Sequence, residues 1–106
     1  MWIISANEKN IVSFDKNDSL CISKLVTKDT WDDYLDEPGK IYILQLYLIK
    51  MNNVRYSLKE YISMIGYDNI LKEAKKDLSC LFKQIESNDG NTIKMEPGNY
   101  YENRRY

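Results

Sequence analysis

Histidine is absent from this 106-residue chain. Its absence excludes Ser-His-Asp and Cys-His catalysis, and it excludes metal sites that depend on imidazole ligands. It also removes the only side chain that titrates near neutral pH without help from its surroundings. Acid–base chemistry would need a carboxyl group, lysine, tyrosine or cysteine with a shifted pKa. We therefore expect a protein that is not an enzyme and that uses no metal or cofactor.

Cysteine, glycine and proline are scarce. Cys21 and Cys80 are the two cysteines, and without a CxxC motif the chain has neither a zinc ribbon nor a thioredoxin-type site. The sequence leaves a disulfide between them open, although we expect two reduced thiols. Four glycines and two prolines argue against a disordered or collagen-like chain. Neither a phosphate-binding loop nor a dinucleotide fingerprint is present.

Long apolar runs and a strong charge bias are also missing. The longest apolar stretch, at residues 41–49, is interrupted by Gln45, whereas a membrane span needs about 20 residues. The first five residues are too short for a signal-peptide core and have no basic lead. The net charge of −1 gives no general case for nucleic-acid binding. These features predict a cytoplasmic protein that does not associate with membranes.

The hydrophobic pattern predicts strands followed by one helix. Alternation and turn residues favour hairpins at residues 2–14 and 41–58, with a third strand at residues 20–25. From Asp68, the predicted cap, to about residue 87, apolar residues recur within an arc of about 120°. Those apolar positions are Ile70, Leu71, Ala74, Leu78, Leu81, Phe82 and Ile85.

Length and pattern together predict one α+β domain at residues 1–98. We expect two layers, in which an antiparallel sheet of about five strands has one long amphipathic helix packed on one face. The predicted order is β-β-β-β-β-α. Residues 92–95 are predicted as a short added strand or a strap, and residues 99–106 as a flexible C-terminal tail.

Residues 29–37 combine acidic and aromatic side chains and interrupt the strand pattern. We interpret them as a loop that ends in a turn at Pro38-Gly39. Aromatic anchors flanked by carboxylates suit a partner with lysine or arginine on its surface. The predicted partner-binding residues are Trp31, Asp32, Asp33, Tyr34 and Asp36. The alternative is a solvated connecting loop with Trp31 packed onto the core.

The C-terminal tail is a second candidate site, for a small anionic ligand such as a nucleotide. Arginine would pair with phosphate, and tyrosine would stack on a base. The predicted ligand-binding residues are Tyr101, Arg104, Arg105 and Tyr106. The alternative is a frayed terminus, because two arginines are a small footprint for an anion site.

Nine tyrosines are a large share for this length. Tyr42 and Tyr47 fall on opposite faces of a regular strand. If a helix covers one face of the sheet, tyrosines on the other face would form an exposed aromatic surface. Such a surface would favour a homodimer.

Three short segments near the N-terminus form a recognisable series: M-W-I-I-S at residues 1–5, I-V-S-F-D at residues 11–15 and L-C-I at residues 20–22. The series resembles small uncharacterised proteins of phages and mobile elements of Gram-positive bacteria. Those proteins open with W-[LI]-I and I-V-x-[LF]-D, and continue with antiparallel strands and a C-terminal helix. The acidic segment 27–39 and the Tyr/Arg tail depart from that pattern. The resemblance implies an accessory protein, and no catalytic residues come with it.

These observations predict a small non-enzymatic binding protein. On the resemblance, it would be an accessory inhibitor that occupies or titrates a host defence factor through the acidic-aromatic segment. Its partner would be a host or cognate protein with a basic surface. Two alternatives stay open, namely sequestration of a small anionic or nucleotide ligand and neutralisation of a toxin nuclease by an immunity protein.

Overall fold

Eight strands and one helix make up the part of the chain that the computed structural model describes, residues 1–33, 35–87, 92–97 and 100–101. The strands are β1 (Trp2–Ile4), β2 (Ile11–Ser13), β3 (Ser19–Ile22), β4 (Val26–Asp32), β5 (Glu37–Ile49), β6 (Arg55–Ser63), β7 (Ile93–Lys94) and β8 (Tyr100–Tyr101). The helix α1 covers Asp68–Glu86 and follows β6. The predicted α+β class, with antiparallel strands and a packed helix, is confirmed.

The strands form two sheets, so the prediction of one antiparallel sheet is wrong. The smaller sheet has the order β2-β1-β7, and the larger has the order β3-β5-β6-β8 with β4 also paired to β5. Two pairs are parallel, β1 with β7 and β6 with β8. Parallel neighbours need a long crossover connection, and the segment containing α1 supplies it. The predicted order also fails, since six strands precede the helix and two short ones follow it.

One edge of β5 is shared by two strands in succession. β3 pairs with residues 46–49 of β5, and β4 pairs with residues 37–43. Between them, the Ser23 backbone N–H donates to the Gln45 carbonyl at 2.8 Å. The Gln45 N–H in turn donates to Ser23 Oγ at 2.9 Å. The predicted strand at residues 20–25 therefore ends early and resumes as β4.

The core lies between one face of the larger sheet, α1 and the smaller sheet. In β5, Leu44, Leu46 and Leu48 are buried at alternate positions, as expected for a strand with one covered face. The buried residues of α1 are Ile70, Ala74 and Leu81, and the smaller sheet contributes Ile3 and Val12. Phe82, predicted on the apolar face, is 43% exposed, whereas Ile70 at the opposite edge of that arc is fully buried, so α1 turns the Ile70 side of the arc towards the core.

The start of α1 differs from the prediction. Tyr67 is the capping residue and makes no side-chain cap hydrogen bond, while Asp68 lies inside the first turn. Gly66 precedes them with φ of 117°, a conformation that suits glycine. Asp68 therefore acts through the favourable interaction of a carboxylate with the helix dipole. No helix in the described part of the chain is long and apolar enough to cross a membrane.

A β-bulge interrupts β6. Leu46 lies opposite Lys59, but the next residue of β5, Tyr47, lies opposite Ser57. Leu58 is therefore the extra residue, and it and Lys59 are both buried. Two successive buried residues break the alternation that marks a strand. Because of this break, the residue pattern at 59–65 fits a short helical turn as well as the end of a strand.

Candidate functional site

The N-terminal part of β5 projects beyond the rest of the sheet. β6 accompanies β5 only from Tyr42 onward, where Tyr42 lies opposite Ser63. Residues 37–41 of β5 pair with β4, the strand that directly precedes β5 in the chain. We name this two-stranded projection the arm (residues 28–41) and the remainder of the domain the body. An isolated pair of strands is marginally stable in water, so the arm depends on the continuation of β5 into the body.

The arm corrects the predicted loop at residues 29–37. Most of that segment is strand, and Pro38 and Gly39 lie within β5 rather than in a turn. Asp29 lies opposite Lys40 across the arm, an arrangement that suits opposite charges. The segment has no apolar alternation, and hence no strand signal, because both faces of the arm carry polar side chains.

Asp32 closes the tip of the arm. Its side chain is largely buried, and Oδ1 accepts a hydrogen bond from the Leu35 backbone N–H at 3.1 Å. Asp36 has a φ of 52°, in the left-handed region that aspartate tolerates better than most residues. These two features help the chain to reverse its direction between β4 and β5. Asp32 thus shapes the tip, whereas Asp33 and Asp36 are exposed there.

Trp31 lies on the arm opposite Pro38. It is 53% exposed, which overturns the alternative that places it on the core. Leu35, at the tip, is also exposed. Tyr34, the second predicted anchor, lies outside the described residues. A large aromatic side chain held open to solvent on a projecting element is the kind of residue that dominates binding at protein interfaces.

Charge is distributed unevenly between the arm and the body. The arm contains five acidic residues and two lysines, which give it a formal charge of −3. Since the whole chain carries −1, the remainder carries +2. The acidic residues crowd towards the tip, and the lysines, Lys28 and Lys40, lie towards the base. The small net charge of the whole chain therefore conceals a local acidic field at the arm, and this field can attract a basic partner.

The candidate ligand site in the tail falls largely outside the described residues. Arg104, Arg105 and Tyr106 lie beyond them. Tyr101 belongs to β8, and the backbone of β8 pairs in parallel with Ile62 and Ser63 of β6. The structure thus brings part of the predicted tail onto the edge of the larger sheet.

A charged cluster between β6 and α1 was missed by the sequence reasoning. The Lys59 Nζ lies 2.6 Å from Asp77 Oδ2 and 3.8 Å from Glu73 Oε1. The Tyr61 hydroxyl donates to the same Asp77 oxygen at 2.8 Å. The Lys59 side chain is only 4% exposed, and its ammonium lies 5.1 Å from the Tyr61 ring centroid. A buried ammonium needs such partners, because an unpaired charge in the interior is very costly.

This cluster fastens α1 to the sheet. Burial, together with the neighbouring Asp77 carboxylate, raises the pKa of the Tyr61 phenol, so the phenol remains a hydrogen-bond donor. The only available signal was the pair Glu73 and Asp77, which are four residues apart and hence on one side of a helix. A lysine in β6 could not be identified as buried, because the β-bulge that directs it inward is invisible in the sequence.

A second network lies at the end of β5 farthest from the arm. The Lys50 ammonium donates to Asp18 at 2.6 Å, to Asp15 at 2.9 Å and to the Ser13 carbonyl at 2.9 Å. The hydrogen bond from Lys50 is the largest influence on Asp18 and lowers the pKa of its carboxyl. The same contact raises the pKa of Lys50. The network fastens the β2–β3 turn to the β5–β6 turn.

A cleft of about 480 Å³ lies beside β6. Its walls come from Ala6 and Asn7, from Pro97 and from the outward side of the larger sheet at Gln45 and Glu60. The Gln45 side-chain amide donates to Glu60 Oε2 at 3.2 Å. An exposed carboxylate in the wall disfavours an anionic ligand. The arm therefore remains the better candidate site.

Compared with models of protein families, with curated proteins and with solved structures, the chain matches none. The geometry and the charge of the described residues therefore support the function proposed below.

Proposed function

We propose that this chain is a small non-enzymatic binding protein whose contact element is the arm. The observation that supports this most is Trp31, half exposed on a two-stranded projection. The side chain makes little use of its apolar area within the chain. A partner that covers it would gain that area without first having to order a loop, because β4 and β5 already hold it.

The expected contribution of Trp31 is large enough to measure. A tryptophan buries up to about 250 Å², and about half of that area is still available here. At about 25 cal/mol per Å², covering it contributes roughly 3 kcal/mol. That free energy corresponds to a change of about a hundredfold in Kd.

The charge of the arm specifies the chemistry of the partner. A tip that carries Asp33, Asp36 and Glu37 fits a protein surface bearing lysine or arginine. Opposite potentials speed association, and the effect weakens as salt screens it. Binding through the arm should therefore weaken with rising ionic strength, mainly through a slower association rate.

The resemblance of the N-terminal segments supplies the proposed biological setting. In that setting the partner is a host defence factor that the chain occupies or titrates, or a cognate toxin nuclease that it neutralises. Both roles use the same acidic, aromatic arm against a basic protein. The nucleotide alternative depends on Arg104 and Arg105, which lie outside the described residues, so no described contact favours it.

The test is affinity capture from a lysate of the natural host with three forms of the chain. The wild type and Trp2→Ala should retain the same dominant protein, and Trp31→Ala should lose it. Trp2 is the matched control, since it is 52% exposed on the body while Trp31 is 53% exposed on the arm. A partner retained equally by Trp31→Ala would overturn the assignment of the arm.

A purified partner allows the charge contribution to be measured separately. Replacing Asp33 and Asp36 together by asparagine should lower the association rate and flatten its dependence on salt. The matched control replaces Glu86 and Glu96, two exposed acidic residues of the body, by glutamine. Equal effects of the two double variants would show that net charge, rather than the arm, attracts the partner.

A further inference from the structure

The second face of the larger sheet carries apolar side chains that the core does not use. In β5 the core takes Leu44, Leu46 and Leu48, with Tyr42 packed against them. The residues that alternate with these point to the opposite face. They are Ile41, Ile43, Gln45, Tyr47 and Ile49, and all are partly exposed.

Neighbouring strands extend this apolar surface sideways. Val26 of β4 and Ile62 of β6 lie on either side of Ile43, and Cys21 of β3 lies opposite Tyr47. Residues opposite each other in antiparallel strands share a face. Val26 is 48% exposed. We name this surface, on residues 41–49 of β5 and the neighbouring strands, the open face.

Two of the charged residues on the open face lie at its ends, and a third, Glu60, lies beside its middle, opposite Gln45. Lys28 is opposite Ile41 at one end, and Arg55 is opposite Ile49 at the other. Glu60, on β6, accepts the hydrogen bond from Gln45. An apolar centre with a polar rim is the organisation of protein–protein interfaces, whereas the solvated face of an antiparallel sheet is normally polar.

We propose that the open face binds the open face of a second copy of this chain, so that two sheets pack against each other. Sheets that pack face to face lie within about 30° of alignment, an angle that arises from their twist. A second copy provides a sheet of identical twist, and the isologous two-fold dimer is the most frequent assembly of identical chains. The mainly aliphatic composition of the face, with Glu60 hydrogen-bonded to Gln45 of its own chain, favours this occupant over a strongly basic or acidic partner.

The area is close to that of a small dimer interface. With about 3.4 Å per residue along β5 and about 4.8 Å between strands, residues 41–49 and the strands on either side cover roughly 450 Å². Two copies would bury roughly 900 Å², close to the approximately 1,000 Å² expected of a biological interface. The tip of the arm, which carries Asp33 and Leu35, extends past the apolar centre of the face and stays available to another partner.

The open face is mainly aliphatic, whereas the sequence predicted an exposed face rich in tyrosine. Tyr42 and Tyr56 pack against the core, and Tyr61 is buried in it. Tyr47 is the tyrosine on the open face among those whose side chains are described. The sequence could not separate these positions, because the bulge in β6 changes which residues face the helix.

The test is the solution mass, measured by light scattering after gel filtration. The wild type should give twice the chain mass of 12.6 kDa, and Ile43→Glu should give the mass of a single chain. Ile11→Glu is the matched control, since Ile11 is an exposed isoleucine in β2 of the smaller sheet. It should keep the mass of the dimer. A wild-type monomer at roughly 100 µM, well above the Kd range of specific interfaces, would overturn the proposal.

A dimer that survives Ile43→Glu would also overturn it, because a different surface would then hold the two copies.

A second measurement covers the case in which Ile43→Glu does not fold. The two free thiols differ in position, with Cys21 on the open face and Cys80 exposed on α1. At ten times Kd about a fifth of the chains are monomeric by mass action.

The alkylation rate of Cys21 should therefore fall about fivefold between dilute and concentrated protein, while the rate of Cys80 should not change. Equal behaviour of the two thiols would contradict the proposal without the use of any substitution.

Discussion

The two halves of β5 have the same backbone conformation and opposite environments. In the body, Leu44, Leu46 and Leu48 are between 0% and 3% exposed. In the arm, Pro38 and Lys40 occupy the same face of the same strand and are exposed. Both halves have an antiparallel neighbour along one edge, and the body half has β6 along the other edge as well. They also differ in what covers the face, since the body half is covered by α1 and the arm half has no described element packed on it.

The comparison shows that pairing and burial contribute separately to a strand. Pairing alone shapes the arm, while burial gives the body its stability. A projecting element that contributes little to the core can change its side chains at low cost in stability, as surface loops do. The expected effects of four sets of substitutions, taken from the largest to the smallest, test this division of the domain into body and arm.

The largest effect should come from Asp77→Ala in the body. The substitution leaves the buried Lys59 ammonium with Glu73 at 3.8 Å as its described carboxylate, and it removes the acceptor of the Tyr61 hydroxyl. Removing one partner of a buried ion pair costs about 3–5 kcal/mol. Urea unfolding measures the difference. The double variant Lys59→Met, Asp77→Leu should recover most of the loss, and a single variant within about 1 kcal/mol of wild type would contradict the role of this cluster.

Substitutions within β5 should test the comparison directly. Leu46→Ala, at a position that is 0% exposed, should destabilise the domain by about 2–5 kcal/mol. Lys40→Ala, six residues earlier on the same face, should stay within about 0.5 kcal/mol. Both are measured by denaturant unfolding. If both variants lost similar stability, the arm would belong to the cooperative core and the division of β5 would be wrong.

A smaller and more local effect is expected at the tip. Asp32→Ala removes the acceptor of the Leu35 N–H, and such a bond contributes about 1 kcal/mol. Amide hydrogen exchange should show faster exchange at Leu35 and in the adjoining residues of the arm, while the amides of Leu46 and Leu48 keep their protection. Asp33→Ala is the control, because Asp33 is exposed beside it. Loss of protection throughout the body would show that the arm is not a separate unit.

The smallest expected change is in how the free energy of unfolding depends on pH. It concerns Asp18, near the end of β5 farthest from the arm. The Asp18 carboxyl has a folded-state pKa below its usual value of 3.8. Its contribution to stability is therefore present above that usual value and is lost as the pH falls through the folded-state pKa. Asp18→Asn should be less stable than the wild type near pH 7, and the gap should narrow below about pH 4. Unfolding midpoints across that range would measure it, and a constant gap would contradict the role of the carboxylate.

The fold could be predicted wherever burial leaves a periodic signal. The helix was predicted because Ile70, Ala74 and Leu81 recur at helical spacing, and the buried half of β5 because its leucines alternate. The second sheet was not predicted, because β7 is two residues long and its pairing with β1 joins residues some 90 positions apart. Local patterns carry no information about such distant pairs.

The sequence shows which residue types make up the candidate site, but not the paired strands that present them. Trp31 and the surrounding carboxylates were identified from residue type alone. Their presentation on paired strands was missed because both faces of the arm are solvated. The role of Asp32, which is largely buried at the tip, was not foreseen for a different reason. An Asx-type hydrogen bond at a turn depends on the register of β4 and β5, which the sequence left open.

The pairing of β1 with β7 has a consequence for the order in which the chain folds. Ile3 lies opposite Ile93, and the Met95 N–H donates to the Ile4 carbonyl at 2.9 Å. During synthesis, β1 thus receives its second neighbour only after some 90 further residues have been added. Contacts of such separation slow folding, since the entropy of closing a long loop is lost before the contact is gained. The smaller sheet should accordingly be the last part of the domain to form.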